Sequence, residues 1–356
     1  MSSTSINTER ATLETEAPSA GASANSPSRN IATPSRRRRR IPPNLFGIAL
    51  GVAGLAEAWR AAEPTLHTPQ AIPDVINITA AVLWVALVVS YAAQGRRQIL
   101  ADLGDKVLAP FVSLATITAM LLSAALAAQV FEVGRVLVVV FLAVTIALGG
   151  WMTGQWFLGD LDQDAVHPGY FLPTVAGGLV GAFAAAEVHL RAVAETSFGI
   201  GILCWVLLGS LLLNRLFFRP QLARALFPSL AIELAPPVMA GVAYTALTGA
   251  PSGPVAEALA GYAVLMALVQ LSLVPAYRRL RFTPGFWAFT FSYAAAATDA
   301  LEWISHEHAP GAAVYAACTL GFITVLIIAI GARSVVAATR GQFLPATPPL
   351  NQKETS

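Results

Sequence analysis

A chain of 356 residues with 56% hydrophobic and only 12% charged residues, at a mean hydropathy of +0.63, is not an ordinary soluble domain, in which about 25% of residues carry charge. The net charge of +2 is too small and too dispersed to mark a nucleic-acid binder. Cys204 and Cys318 lie inside apolar stretches, so neither a disulfide framework nor a metal pair is expected.

Residues 1–40 are rich in Ser, Thr, Ala, Asn and Glu and read as a disordered arm. The run Arg36 to Arg40 that ends it resembles a nucleic-acid patch. Beside an apolar stretch, it is better read as a topology determinant drawn to anionic lipid. The apolar pattern after it is too long for a signal peptide, so no cleavage is expected.

Ten stretches of membrane-spanning length follow within residues 41–340, at about 44–60, 72–94, 107–129, 133–158, 170–188, 194–215, 226–248, 257–276, 282–304 and 311–332. Residues 341–356 read as a second disordered segment. With ten spans and an inside N-terminus, 19 of the 22 basic residues fall on the cytoplasmic side, leaving Arg60, Arg135 and Arg191 outside. Losing one span puts the later basic clusters on the wrong side, so the even count and two cytoplasmic termini support each other. The fold class is all-α and polytopic.

The spans repeat as five pairs, a proline-broken stretch followed by a smooth one. The broken members begin near Pro43, Pro110, Pro173, Pro228 and Pro284, at separations of 67, 63, 55 and 56 residues. Pro236 and Pro237 add a second break to the fourth of them. Proline frees backbone carbonyls that lipid cannot satisfy, so these helices belong inside the bundle or along a cavity. The acids sort the same way. Glu57, Glu187, Glu233, Asp299 and Glu302 all lie in odd spans, where intramembrane ionisable groups face an interior or water. Five helical hairpins, with odd helices inside and even helices against lipid, follow from both patterns.

Candidate functional residues fall mainly on the odd spans. Each has a phenylalanine near its proline (Phe46, Phe111, Phe171, Phe227 and Phe286), and Phe46, Phe111, Phe171, Phe286 and Glu233 are candidate lining groups of a central pore. Glu233 lies about 10 Å deep by helical rise, beside carbonyls freed by Pro236 and Pro237. Phe291, near the middle of the ninth span, could plug a narrow pore. Glu187 and Arg191 have the spacing of a helical i,i+4 pair, and Glu57 lies close to Arg60.

Two loops were candidates for other chemistry. Asp160, Asp162, Asp164 and His167 imitate the opening of a calcium loop but lack its glycine and final glutamate, so a solvated inner loop is expected. His306, Glu307 and His308 lack helical zinc spacing. No P-loop, nucleophile elbow or dinucleotide fingerprint is present, and no enzyme, resident metal or cofactor is expected.

Three blocks, HPGYFLPTVAGGLVGA, LFFRPQLARALFPSLAIELAPPVMAG and FTPGFWAFTFSYAAAA, resemble the TehA-like tellurite-resistance and dicarboxylate transporter family, which includes the slow anion channels of plant guard cells. The similarity runs from about Pro42 to Arg340. It implies ten helices in five hairpins, quasi-fivefold symmetry, a pore lined by odd helices, anion selectivity and a homotrimer in the bacterial plasma membrane. It also implies that Phe291 is the gating aromatic residue. Three readings remain open: passive permeation of small inorganic or organic anions; a proton-coupled exporter of a C4-dicarboxylate or tellurium oxyanion, with Glu233 carrying the proton; and an intramembrane enzyme using the acidic loop.

Overall fold

The computed structural model describes residues 40–159 and 161–344, so residues 1–39 and 345–356, most of the two terminal segments expected to be disordered, lie outside the described residues, as does Asp160. Among the described residues there are helices and no strand. Helices cover all ten apolar stretches. Eight are long and apolar enough to cross a membrane. Five of these are smooth helices: α3 (Ala71–Ala92), α7 (Phe131–Phe157), α9 (Arg191–Phe218), α11 (Pro254–Tyr277) and α13 (Ala312–Thr339). The other three are composite. One joins α5 (Ala109–Val112) to α6 (Leu114–Ala127), one ends in α8 (Gly177–Glu187), and one ends in α10 (Ala235–Thr248). Outside that set stand α1 (Phe46–Ala61), which has 16 residues, the one-turn α2 (Glu63–Leu66) that follows it, and α12 (Ala288–Glu307), which carries Asp299, Glu302 and Glu307. The protein is an all-helical membrane protein.

Burial alternates along the chain. Between 17% and 28% of the apolar window is buried in the five smooth helices, against 67% to 83% in the three composite ones. The smooth helices present Val, Leu, Ile and Phe outward, including Val82, Leu207, Val264 and Phe322. In water such a surface is unstable; in lipid it costs nothing.

The prolines act as starts more than as kinks. Pro43 and Pro284 open 3-10 turns (Pro43–Leu45 and Pro284–Trp287), Pro110 is second in α5, and Pro228 is second in the 3-10 segment Phe227–Leu234. Pro173 sits second in a π turn, Leu172–Ala176, and Pro236 and Pro237 lie in the first turn of α10. At these positions the missing N–H has no intrahelical partner to lose.

Polar groups near the joints receive side chains from neighbouring helices. Trp84 of α3 donates to the Ala115 carbonyl at 2.8 Å, and Gln270 of α11 donates to the Leu230 carbonyl at 2.9 Å. Gln270 also accepts from the Tyr277 hydroxyl at 2.9 Å and is 2% exposed. Trp287, just before α12, reaches Ser334 of α13 at 2.9 Å. A polar side chain of a smooth helix thus bonds a polar group of a broken stretch in each case.

At the end where the broken stretches begin, two clamps hold the chain. Asp102 is fully buried in α4 (Arg96–Gly104), paired with Arg40, and it accepts from the Tyr91 hydroxyl at 2.9 Å and from Gln98 at 2.8 Å. The Gln94 side chain bonds both backbone groups of Ile41, at 3.0 and 2.9 Å. At the opposite end, the expected Glu187–Arg191 pair does not form. The helix stops at Glu187, His189 takes a left-handed φ of 59°, and Arg191 pairs with Glu195 at 2.8 Å inside α9. An i,i+4 contact needs an unbroken helix.

Candidate functional site

The broken stretches converge on a cavity of about 420 Å³. Asn44, Gly47 and Leu50 line it from the first stretch, and Phe111 and Leu114 from the second. The third supplies Phe171, Val175 and Leu179, the fourth Ser229, Ile232 and Met239, and the fifth Trp287, Phe291 and Ser292. No charged side chain lines it among the described residues. The wall is apolar, broken by the small polar groups of Asn44, Ser229 and Ser292.

A second cavity of about 20 Å³ lies farther along the bundle, lined by Gly54, Leu121, Phe183, Val242, Ala295, Thr298 and the carboxylate-bearing Glu57. Phe291 and Met239 line both cavities. The Phe291 and Met239 side chains therefore stand between the two cavities. The position of the Phe291 ring is enforced by α1: a Cβ added at Gly54 would lie 3.1 Å from Phe291 Cδ2. The absence of a side chain at Gly54 makes room for the ring.

The other lining candidates divide. Phe111 and Phe171 face the large cavity. Phe46 does not; it is 2% exposed and packs edge-on to Tyr91 of α3 at 5.7 Å. Phe286 turns to an aromatic cluster with Phe282 and Phe289, at 5.2 and 5.6 Å. Glu233 lines neither cavity. Its carboxylate lies within electrostatic reach of Tyr262 and Tyr277 of α11, and its Oε1 has no hydrogen-bond partner. Glu233 therefore adds no charge to the wall of either cavity.

The loop before α8 is not uniformly solvated, contrary to expectation. His167 is fully buried. It stacks on Phe111 at 5.4 Å, meets the Tyr170 ring edge-on at 5.3 Å, and accepts the Gly169 N–H at Nδ1. That acceptance leaves the proton on Nε2, which donates to the Val107 carbonyl at 3.1 Å. Burial pushes the imidazole down to about 4. Asp164 is exposed and bonded to Arg219 at 2.7 Å, which holds its carboxyl below its ordinary value, while Arg215 reaches the Asp164 carbonyl. These residues staple two loops together beside the cavity mouth. Sequence reasoning missed Gln270 and the buried state of His167. The signal available for Gln270 was a lone amide in an apolar helix.

Such an arrangement sets an uncharged cavity inside a helical membrane bundle, as in proteins that pass solutes across a bilayer. Residues 40–335 match the SLAC1 family of voltage-dependent anion channels, and the chain belongs to that family. It is 27% identical over 310 residues to the tellurite resistance protein TehA homolog of Haemophilus influenzae, covering 85% of this chain and 92% of the relative. Similarity at 22% identity extends to the S-type anion channels SLAH3 and SLAH2 of Arabidopsis thaliana. The alignments cover 84% of this chain but only 48% and 59% of those longer proteins.

Proposed function

We propose that this chain is an anion channel of the bacterial plasma membrane, in which ten helices form five hairpins and the broken stretches enclose one conduit per subunit. The observation that carries the reading is the position of Phe291, whose ring borders both the wide cavity and the constriction beyond it. Phe291 is the gate: while the ring fills the narrowing, the apolar passage excludes water and ions. The uncharged wall fits permeation, because a fixed cation in the cavity binds an anion too tightly for it to leave. The basic end faces the cytoplasm by the positive-inside rule, and the family resemblance implies a homotrimer.

Phe291→Ala is expected to raise anion conductance in oocyte or bilayer recordings. Unchanged conductance from correctly folded protein at the surface removes the gate assignment. A proton-coupled exporter of C4-dicarboxylates or tellurium oxyanions working through Glu233 is less well supported, because that carboxyl lies off the cavity. Flux that is steeply pH-dependent and lost in Glu233→Gln decides for it. Catalysis by the acidic loop has less support still, since Asp164 is tied to Arg219 and His167 is sealed.

A further inference from the structure

An anion that enters an apolar cavity gives up hydration, and hydrogen-bond donors on the wall are what can offset the loss. Side-chain donors on this wall are few, and most are already engaged. The Ser229 hydroxyl donates to the Leu226 carbonyl at 2.6 Å, and the Ser292 hydroxyl to the Ala288 carbonyl at 3.2 Å. Each serves an anion only by giving up that bond. The Trp287 indole N–H donates to Ser334 of α13 at 2.9 Å. Beyond Phe291, the Arg60 guanidinium is taken by both carboxylate oxygens of Glu57 at 2.7 Å.

Asn44 differs. It lines the wide cavity at the end where the broken stretches begin. Its Oδ1 is buried, and its amide N–H groups donate to no other residue among the described ones. A side-chain amide has an acceptor end and a two-donor end. With the acceptor withdrawn into the protein, the end left for the cavity is the one that suits negative charge.

Asn44 is also held in place. Gln94 bonds both backbone groups of Ile41, three residues earlier, and Arg40 before it is paired with buried Asp102. Pro42 and Pro43 then fix two successive φ angles ahead of Asn44. The 3-10 turn Pro43–Leu45 that carries it packs against the turn Pro284–Trp287 of the fifth stretch and against α5 of the second. A donor on so constrained a segment meets an ion without reorganising first.

We propose that Asn44 is the anion-binding residue of the wide cavity: its side-chain amide donates to a small oxyanion, with the Gln94–Ile41 clamp holding it in position. This rests on the anion reading of the conduit and names the group that recognises the ion there. A cation gains nothing from these donors, so Asn44 favours anions without a fixed positive charge. A neutral donor also holds the ion more weakly than arginine does, which lets it leave.

The test uses full-length protein in planar bilayers, in the Phe291→Ala background, with nitrate current followed against nitrate concentration. Losing a hydrogen bond to a charged group weakens binding about tenfold or more. Asn44→Leu is therefore expected to raise the half-saturating nitrate concentration about tenfold without lowering the saturating current. A purely structural defect does the reverse, reducing the working fraction and leaving half-saturation alone. Asn44→Asp keeps the shape and exchanges the donors for negative charge, and it should abolish nitrate current at neutral pH. Half-saturation unchanged in either variant overturns the proposal. A second readout is independent of conduction. Nitrate, compared with sulfate at equal ionic strength, raises the melting temperature of the detergent-solubilised wild-type protein, and both variants lose the shift. No nitrate shift in the wild type, or a shift kept in Asn44→Leu or Asn44→Asp, also overturns the site. Absence of current in every variant, with the nitrate shift present in the wild type and lost in both substitutions, overturns permeation and leaves the anion site standing.

Discussion

The face of α1 toward α12 offers a graded test of whether helix proximity sets the gate. Gly47, Gly51 and Gly54 lie along it. A Cβ at Gly47 would meet Trp287 Cβ at 3.6 Å, an ordinary contact. At Gly51 it would lie 1.9 Å from Thr290 Oγ1 and 2.5 Å from Thr290 Cβ. Turning the threonine hydroxyl away does not help, because its Cβ is fixed to the backbone of α12. The two helices must separate. At Gly54 both Ala294 Cβ and Phe291 Cδ2 stand at 3.1 Å, and only the ring can swing aside. Replacing glycine by alanine inside a helix contributes about 1 kcal/mol, while overpacking costs about 1–3 kcal/mol. Gly47→Ala is therefore expected to stabilise slightly. Gly51→Ala should be the less stable of the two by roughly 1–3 kcal/mol, the overpacking cost alone, because the helix-propensity gain is common to both. Gly54→Ala should stay near neutral in stability while changing anion conductance. Melting curves of the purified variants, with recordings for Gly54→Ala, measure all three. If Gly51→Ala melts as high as Gly47→Ala, the close approach of α1 to α12 is wrong, and so is the argument that Gly54 makes room for Phe291.

Three further outcomes follow from the polar contacts. With His167 held at about 4 in the folded chain against an ordinary 6.5, the unfolded chain takes up a proton between these values and the folded chain does not. Stability is then complete above pH 6.5 and falls as pH drops toward 4, by about 3 kcal/mol. Removing the imidazole in His167→Gln should flatten that part of the pH–stability profile. Gln270→Leu strips the Leu230 carbonyl and the Tyr277 hydroxyl of a buried partner and should destabilise by roughly 2 kcal/mol, read as a lower melting temperature. Arg219→Ala, at an exposed ion pair with Asp164, should leave the melting temperature unchanged; a drop of several degrees contradicts the surface reading.

Helix positions, and the division into buried and outward-exposed helices, were legible because two separate penalties select the same segments. A proline and an unpaired acid are both costly against lipid, so Pro110, Pro173, Pro228 and Glu233 mark buried stretches without any tertiary information. Rotation about each helix axis was not legible. The repeat gave Phe46 and Phe286 the same place along the chain as Phe111 and Phe171, yet Tyr91 and the Phe282–Phe289 cluster turn the first two away from the cavity. Long-range caps were hidden for a similar reason: Gln270 serves a carbonyl 40 positions away. Helix α4 was missed because it is short and polar, starting after Gly95 at φ 86°. Phe291 stood out through its mid-span position and the family resemblance. Its relation to Gly54 is a matter of helix packing, which no local pattern carries.

The uncharged cavity also predicts which anions pass. An ion entering it exchanges water for apolar wall plus the few hydrogen bonds that Asn44, Ser229 and Ser292 supply. No cation in the wall repays the lost hydration, so the desolvation cost of each ion sets its rank. A diffuse, weakly hydrated monovalent anion such as nitrate gives up less than chloride, and chloride less than a doubly charged dicarboxylate. Reversal potentials measured in Phe291→Ala with nitrate, chloride, tellurite and malate are expected to follow that order, nitrate first and malate last. A preference for malate demands a fixed positive group on its path. Arg60 is the candidate beside the constriction, so malate permeation that persists in Arg60→Gln refutes the desolvation argument for this cavity.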